Sequence, residues 1–201
     1  VYKTAVEILK TKGTLVQKSE FEREYTAHDE EEIFMHVTDH VGKLKRERGF
    51  NQKETLDKHT EYNAILRDLF HILAVDIMQT NRGQQDTYRK VKTDLDIQES
   101  DFKGSSNLYE NADIVFGLMN PYKLGVFTYP ANQGYDIKKF VTPTNYNRFR
   151  AVKVLKNSYG VDDFVIGYQF LGENGFMREL PTPTQMTPNI YNRVTNIKTN
   201  Y

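Results

Sequence analysis

Four short segments place polar residues where apolar runs begin or end, and each could do chemistry. The first is Ile33-Phe34-Met35-His36-Val37-Thr38 running into Asp39. An apolar strand that ends in an acid sets a carboxylate at the carboxyl edge of a sheet, where ligands bind in open α/β folds. Such a carboxylate can hold magnesium through water; the plain alternative is an aspartate that starts a turn. The second is Val75-Asp76-Ile77-Met78 running into Gln79, then Thr80, Asn81 and Arg82. A glutamine amide there can hydrogen-bond a phosphate or a water, or simply stand in solvent. The third is Lys103-Gly104-Ser105-Ser106, ahead of Asn107 to Asn111 and the run Ile114 to Met119. Backbone amides at a helix start can face an anion, although a merely capped helix is the commoner case. The fourth is Val154-Leu155-Lys156 before Asn157-Ser158-Tyr159-Gly160. A lysine at that strand end can reach a neighbour's phosphates, or remain a solvated end.

Around these lie two basic groups. Lys43, Lys45, Arg46 and Arg48 form one, and Arg89, Lys90 and Lys92 the other. Either could neutralise a phosphate backbone, and either could be an ordinary charged face. The five histidines, His28, His36, His40, His59 and His71, show no metal-ligand spacing. No Ser-His-Asp pattern stands out, and no Gly-x-Ser-x-Gly occurs.

The elements that must carry these residues can be read from periodicity. Tyr2, Ala5, Val6, Ile8 and Leu9 fall at helical spacing, with Gly13 as the stop. Leu15-Val16 begins a short strand, and Glu20 to Glu32 reads as a connecting helix or loop. Residues 33–38 form a buried strand. Thr55 to Leu73 is the clearest helix, with Leu56, Tyr62, Ile65, Leu66, Leu69, Phe70 and Leu73 as its stripe. A second buried strand covers 75–79, a long loop 81–106, a short helix 107–111 and a third strand 114–119. Pro121 to Asn147 reads as an irregular insertion. Strands follow at Phe149 to Leu155, Phe164 to Phe170 and Phe176 to Leu180, the last two joined by a Gly172-Glu173-Asn174-Gly175 hairpin. From Pro181 the chain reads as a tail. Strand, helix, strand, loop, strand fits a parallel sheet flanked by helices; the later strands fit an antiparallel extension at its edge.

The totals set limits. The 201 residues make one domain with a real core, here expected over 1–180 with a tail over 181–201. The hydrophobic share, 38%, is below the usual 45–50%, which points to a polar tail or to a core shared with further sequence. Charge balances at 27 basic and 27 acidic residues, so a nucleic-acid surface would have to gather its charge locally. The absence of cysteine excludes a disulfide framework and thiolate metal sites and is compatible with a reducing cytoplasm. No apolar run approaches the roughly 20 residues needed to cross a bilayer.

The order of the four segments is more specific than any one of them. It resembles the carboxyl half of DnaB-type replicative helicases, whose core is RecA-like, over roughly residues 33–180. Asp39-His40-Val41-Gly42-Lys43-Leu44 looks like that family's Walker B strand end, and Gln79-Thr80-Asn81-Arg82 like its Gln-Leu-Asn-Arg sensor. Ser105 to Asp113 is similar to the Gly-Ser-x-Ile-Glu-x-x-Ala-Asp segment, and Lys156 to Gly160 to Lys-x-Arg-x-Gly. There are departures. Ser158 stands where the family has its arginine finger, and Tyr109, followed by Glu110, stands at the Glu of the Ile-Glu pair. The Walker A loop, Gly-x-x-x-x-Gly-Lys-Ser/Thr, is absent, as is the catalytic Glu upstream of Walker B.

The resemblance implies a RecA-like, mostly parallel sheet with antiparallel strands at its C-terminal edge, as an incomplete core. It implies ATP and Mg2+ as cofactors of the intact protein, with Asp39 holding the metal, Gln79 sensing phosphate and Lys156 acting across subunits. It implies a hexameric ring on single-stranded DNA, in the cytoplasm or a host's cytoplasm. Lys43, Lys45, Arg46, Arg48, Arg82, Arg89, Lys90, Lys92 and Lys103 would meet the DNA backbone. Without a phosphate cradle the chain alone is expected to be inactive. The start at Val1, followed by a helix that fits between Walker A and Walker B, favours a fragment whose partner is the missing N-terminal half. A recombinase-type RecA-like ATPase and a non-catalytic interaction module are the alternatives.

Overall fold

A computed structural model of the chain describes residues 2–79, 96–102 and 106–196. The chain divides into two compact units. Unit 1 comprises 1–81 and 102–112, and unit 2 comprises 82–101 and 113–201.

In unit 1, helix α1 (Tyr2–Lys12) gives way at Gly13 to strand β1 (Gly13–Gln17). A Cβ at Gly13 would lie 2.5 Å from the Thr26 carbonyl oxygen, so only glycine fits this close approach. Strand β2 (Arg23–Ala27) pairs antiparallel with β1, Leu15 opposite Tyr25. The expected helix or loop over 20–32 is therefore replaced in part by a strand. The alternation of Tyr25 with its polar neighbours carried that signal, but it is short and lies among many acids. Tyr25 is buried and donates to the Leu9 carbonyl at 3.0 Å. Leu9, Tyr25, Leu66, Phe70 and Ile72 form the buried core of this unit.

Helix α2 (Gln52–Phe70) begins three residues before the expected start at Thr55, because Asn51 and Glu54 form a reciprocal cap. The Glu54 N–H donates to Asn51 Oδ1 at 3.0 Å, and the Asn51 N–H to Glu54 Oε2 at 2.7 Å. The helix ends at Phe70 rather than Leu73, because His71 takes the left-handed conformation (φ 56°). Strands β3 (Met35–Asp39) and β4 (Leu73–Ile77) flank it in sequence and pair in parallel. Helix α3 (Ser106–Asn111) is tied to α2 by a 2.8 Å hydrogen bond from Asn107 to Asp57.

Both parallel strands were expected to be buried, and they are not. Met35 is 59% exposed, Val37 49%, Leu73 50% and Ile77 48%. The alternate positions His36 and Asp76 bond to residues of α2 instead. The helix thus sits over a polar face of the pair, and the apolar face is open.

In unit 2, strands β5 (Ile114–Met119), β8 (Phe149–Asn157), β9 (Phe164–Leu171) and β10 (Phe176–Glu179) form one antiparallel sheet in the order β10-β9-β8-β5. The β9–β10 turn is the expected hairpin, with Gly175 at φ 70°. The segment read as an irregular insertion holds strands β6 (Thr128–Tyr129) and β7 (Tyr135–Asp136) and a 3-10 turn at Ile137–Phe140. The segment read as a tail holds helix α4 (Pro188–Thr195), capped by Thr187 with Pro188 in its first turn. Together they build the core: Phe140 packs on Phe149 at 5.1 Å between ring centres and on Tyr191 at 5.2 Å, and Tyr135 on Phe149 at 5.1 Å. Phe140 and Phe149 are fully buried, which contributes about 1.5–3 kcal/mol for each. Gln169, also buried, donates to the Val194 carbonyl at 2.7 Å and fastens α4 to the sheet.

Among the described residues no helix is long and apolar enough to cross a membrane.

Candidate functional site

The parallel register decides what the first two segments can do together. Asp39 lies opposite Ile77, so Gln79 follows two residues beyond the end of β4 at the same carboxyl edge. Both residues are exposed. Immediately after Asp39 the chain turns sharply. His40 is left-handed (φ 66°), the Lys43 N–H donates to the His40 carbonyl at 2.8 Å, and Val41 is fully buried beneath the turn. This turn keeps Asp39 at the rim while anchoring the backbone behind it. Thr38 Oγ1 and His40 Nδ1, on either side of Asp39, are buried without a hydrogen-bond partner. Buried polar atoms without a partner are uncommon in folded proteins.

The donor set limits the metal chemistry. Among the described residues no group of three or more His, Asp or Glu side chains could hold a metal ion. Magnesium is usually held by one or two carboxylates, with waters and substrate phosphates completing its shell. Asp39 fits that role for a hydrated ion arriving with a phosphate; a cage made by the protein alone is not present among the described residues.

Behind the edge lies a polar network that sequence reasoning missed. His59 Nε2 lies 2.9 Å from Asp76 Oδ1, and Asn63 donates to Asp76 Oδ2 at 2.9 Å. His36 Nδ1 reaches Asn63 Oδ1 at 3.3 Å. His59 and Asn63 are buried. Both oxygens of the Asp76 carboxylate are therefore held by α2, which ties the helix to the strand leading into Gln79. The spacing of His59 and Asn63, one helical turn apart, was visible in the sequence. Their partner was not, because Asp76 meets them only through the fold.

In unit 2 the run that follows the third segment, Ile114 to Met119, pairs with the strand that carries the fourth. Ile114 pairs with Asn157 and Val115 with Lys156, and the Ser158 N–H donates to the Asp113 carbonyl at 2.9 Å. The turn after Lys156 forms as expected, held by Asn157 Oδ1 accepting from the Tyr159 N–H at 3.1 Å. Lys156 is half-buried near the end of β8. On the same strand Lys153 meets Asp163 at 3.1 Å and Asp96 at 3.4 Å. Burial is the largest single influence on Lys153 and lowers its pKa, but the two carboxylates together hold it above the ordinary lysine value. Burial, then the nearby Asp96 carboxylate, raises the pKa of Tyr129, although its hydroxyl closes no hydrogen bond of normal length.

Of the predicted basic residues, Lys43, Lys45, Arg46 and Arg48 are exposed on the segment between β3 and α2, with Arg46 Nε donating to Gln52 at 3.2 Å. Arg82, Arg89, Lys90, Lys92 and Lys103 lie outside the described residues, as does Ser105.

Comparison with known proteins matches the fold. No protein-family model matches the sequence, and no curated protein does. Among solved structures, the chain is similar to an ATPase domain at TM-score 0.59 and 14% identity, over 90% of this chain and 50% of that one. It is also similar to a DnaB-like replicative helicase, described with its interactions with primase, at TM-score 0.56 and 15% identity. That match covers 76% of this chain and 32% of the other. The chain thus spans half or less of the length of the solved chains it resembles, and its fold is similar to part of theirs.

Proposed function

We propose that this chain is the carboxyl part of the motor domain of a ring-forming, ATP-driven replicative DNA helicase. The observation that supports the reading is the shared carboxyl edge of β3 and β4, where Asp39 pairs with Ile77 and Gln79 follows two residues later. Asp39 holds a hydrated magnesium ion, which, when bound with ATP, neutralises charge on the phosphates. Gln79 hydrogen-bonds the terminal phosphate or the attacking water and so reports its loss to β4. The Asp76 network couples that strand to α2. Lys156 reaches the nucleotide of the neighbouring subunit in a hexameric ring. Lys43, Lys45, Arg46 and Arg48, with Arg82, Arg89, Lys90, Lys92 and Lys103, contact the backbone of single-stranded DNA, whose affinity would fall with salt. The phosphate-binding loop is supplied by a further polypeptide segment. The open apolar face of the parallel pair supports this, because such a face is normally covered. The cytoplasm is the expected compartment.

The test is strand unwinding by a protein that carries this chain together with a Walker A loop. Asp39→Ala should abolish it, and unwinding that survives the change would sink the reading. Ser158 in place of the finger arginine supports a second reading, a module that keeps the fold without hydrolysis. Under that reading no nucleotide turnover appears even when the loop is supplied.

A further inference from the structure

Unit 1 contains a cavity of about 470 Å³ between α1, α2 and the segment that follows β3. Its size falls in the roughly 300–1,000 Å³ range of small-ligand sites. We infer that it binds a small aromatic anion, a planar ring that carries a phosphate or carboxylate.

The walls supply the ring's complement. Tyr62 is held in place by Tyr2, stacked on it at 4.3 Å between ring centres and 11° between planes. Phe50 also lines the cavity and is 39% exposed. The Lys58 ammonium lies 4.7 Å from the Phe50 ring centre and 5.6 Å from that of Tyr62, so one cation stands against both rings. Such aromatic surfaces favour a planar ring by stacking and by burial.

Charge supplies the rest. Three lysines, Lys3, Lys45 and Lys58, line the cavity with a single carboxylate, Glu47. That carboxylate is bound by Lys58. Lys3 and Lys45 have no ion-pair partner among the described residues. Two exposed ammonium groups without ion-pair partners on the lining of an aromatic pocket attract an anion and favour it over a neutral ring. His36 and His59 also line the cavity, their orientation set by Asn63 and Asp76.

The cavity shares His36, His59 and Asn63 with the network behind the Asp39–Gln79 edge and Lys45 with the proposed DNA surface, but ligand binding there requires neither hydrolysis nor unwinding. A chain that hydrolyses and unwinds nothing would still bind the ligand. The experiment is calorimetric titration of the whole 201-residue chain with phenyl phosphate and, separately, with inorganic phosphate. Phenyl phosphate should bind at least about tenfold more tightly than inorganic phosphate, because only it uses the rings. Replacing both Lys3→Ala and Lys45→Ala should weaken phenyl phosphate about tenfold, whereas Lys10→Ala, an exposed lysine outside the cavity, should leave it unchanged. Phe50→Ala should weaken it with the circular dichroism spectrum retained. No binding of phenyl phosphate, equal binding of inorganic phosphate, or a double lysine variant within about twofold of the parent would each overturn the inference.

Discussion

The two units solve the burial of a sheet in opposite ways. Unit 2 places its antiparallel sheet against rings gathered from far along the chain: Tyr135 from β7, Phe140 from the 3-10 turn after it, Phe149 from β8, Tyr191 from the last described helix. Unit 1 lays one long helix over a polar face of a two-stranded parallel pair and leaves the apolar face half exposed. The difference separates a sheet backed by aromatic rings from one backed by a polar network. Unit 2 is built around a filled core. Unit 1 spends its helix–strand contact on His59, Asn63 and Asp76, directly behind the edge that bears Asp39 and Gln79.

The comparison breaks most visibly in the aromatic core. Phe149→Ala should destabilise unit 2 by about 3–5 kcal/mol, read as a lowered melting temperature and lost exchange protection in the amides of β8 and β9. An effect under about 1 kcal/mol would mean that the rings do not support the sheet. In unit 1 the corresponding weak point is polar. Asp76→Ala leaves the buried His59 and Asn63 without their shared acceptor and should cost about 2 kcal/mol in chemical denaturation. Asn51→Ala removes one half of the reciprocal cap on α2 and should cost about 1 kcal/mol in the same measurement.

The smallest effect is one of pH, and it belongs to unit 2. The fold raises the pKa of Lys153 above 10.5 and that of Tyr129 above 10.0. A group whose folded pKa is raised stabilises fully below its unfolded value and loses that contribution as pH rises through the folded value. Unit 2 should therefore keep this stabilisation at neutral pH and lose it as pH climbs beyond about 10. Lys153→Met and Tyr129→Phe should flatten that alkaline decline; an unchanged slope in both variants would refute the assignment.

Much of this architecture was legible in the sequence. The strand after Glu32, the helix after Asn51, the strand before Gln79 and the hairpin at Gly172–Gly175 follow from periodicity and turn residues. The boundaries were set by features that periodicity does not see, such as the Asn51–Glu54 cap and the left-handed His71. The C-terminal segment was misread because its Pro, Thr and Asn content resembles a tail. Thr187-Pro188 is in fact a helix start, and Ile190, Tyr191 and Val194 fall on one face. Composition outweighed a short, correct local signal. The site divides in the same way. Asp39 and Gln79 could be picked from strand ends, but the Asp76 network and the aromatic cavity depend on which residues the register and the helix bring together.

The central claim is that Asp39 and Gln79 act as one unit at a shared sheet edge. It is tested most directly by a double-mutant cycle on DNA-stimulated ATP hydrolysis, in a protein that joins this chain to a phosphate-binding loop. Asp39→Ala and Gln79→Ala should each lower turnover by about 100-fold, and the double variant should be little worse than the more damaged single one. Single variants that stay within about twofold of the parent, or two losses that simply multiply, would contradict it.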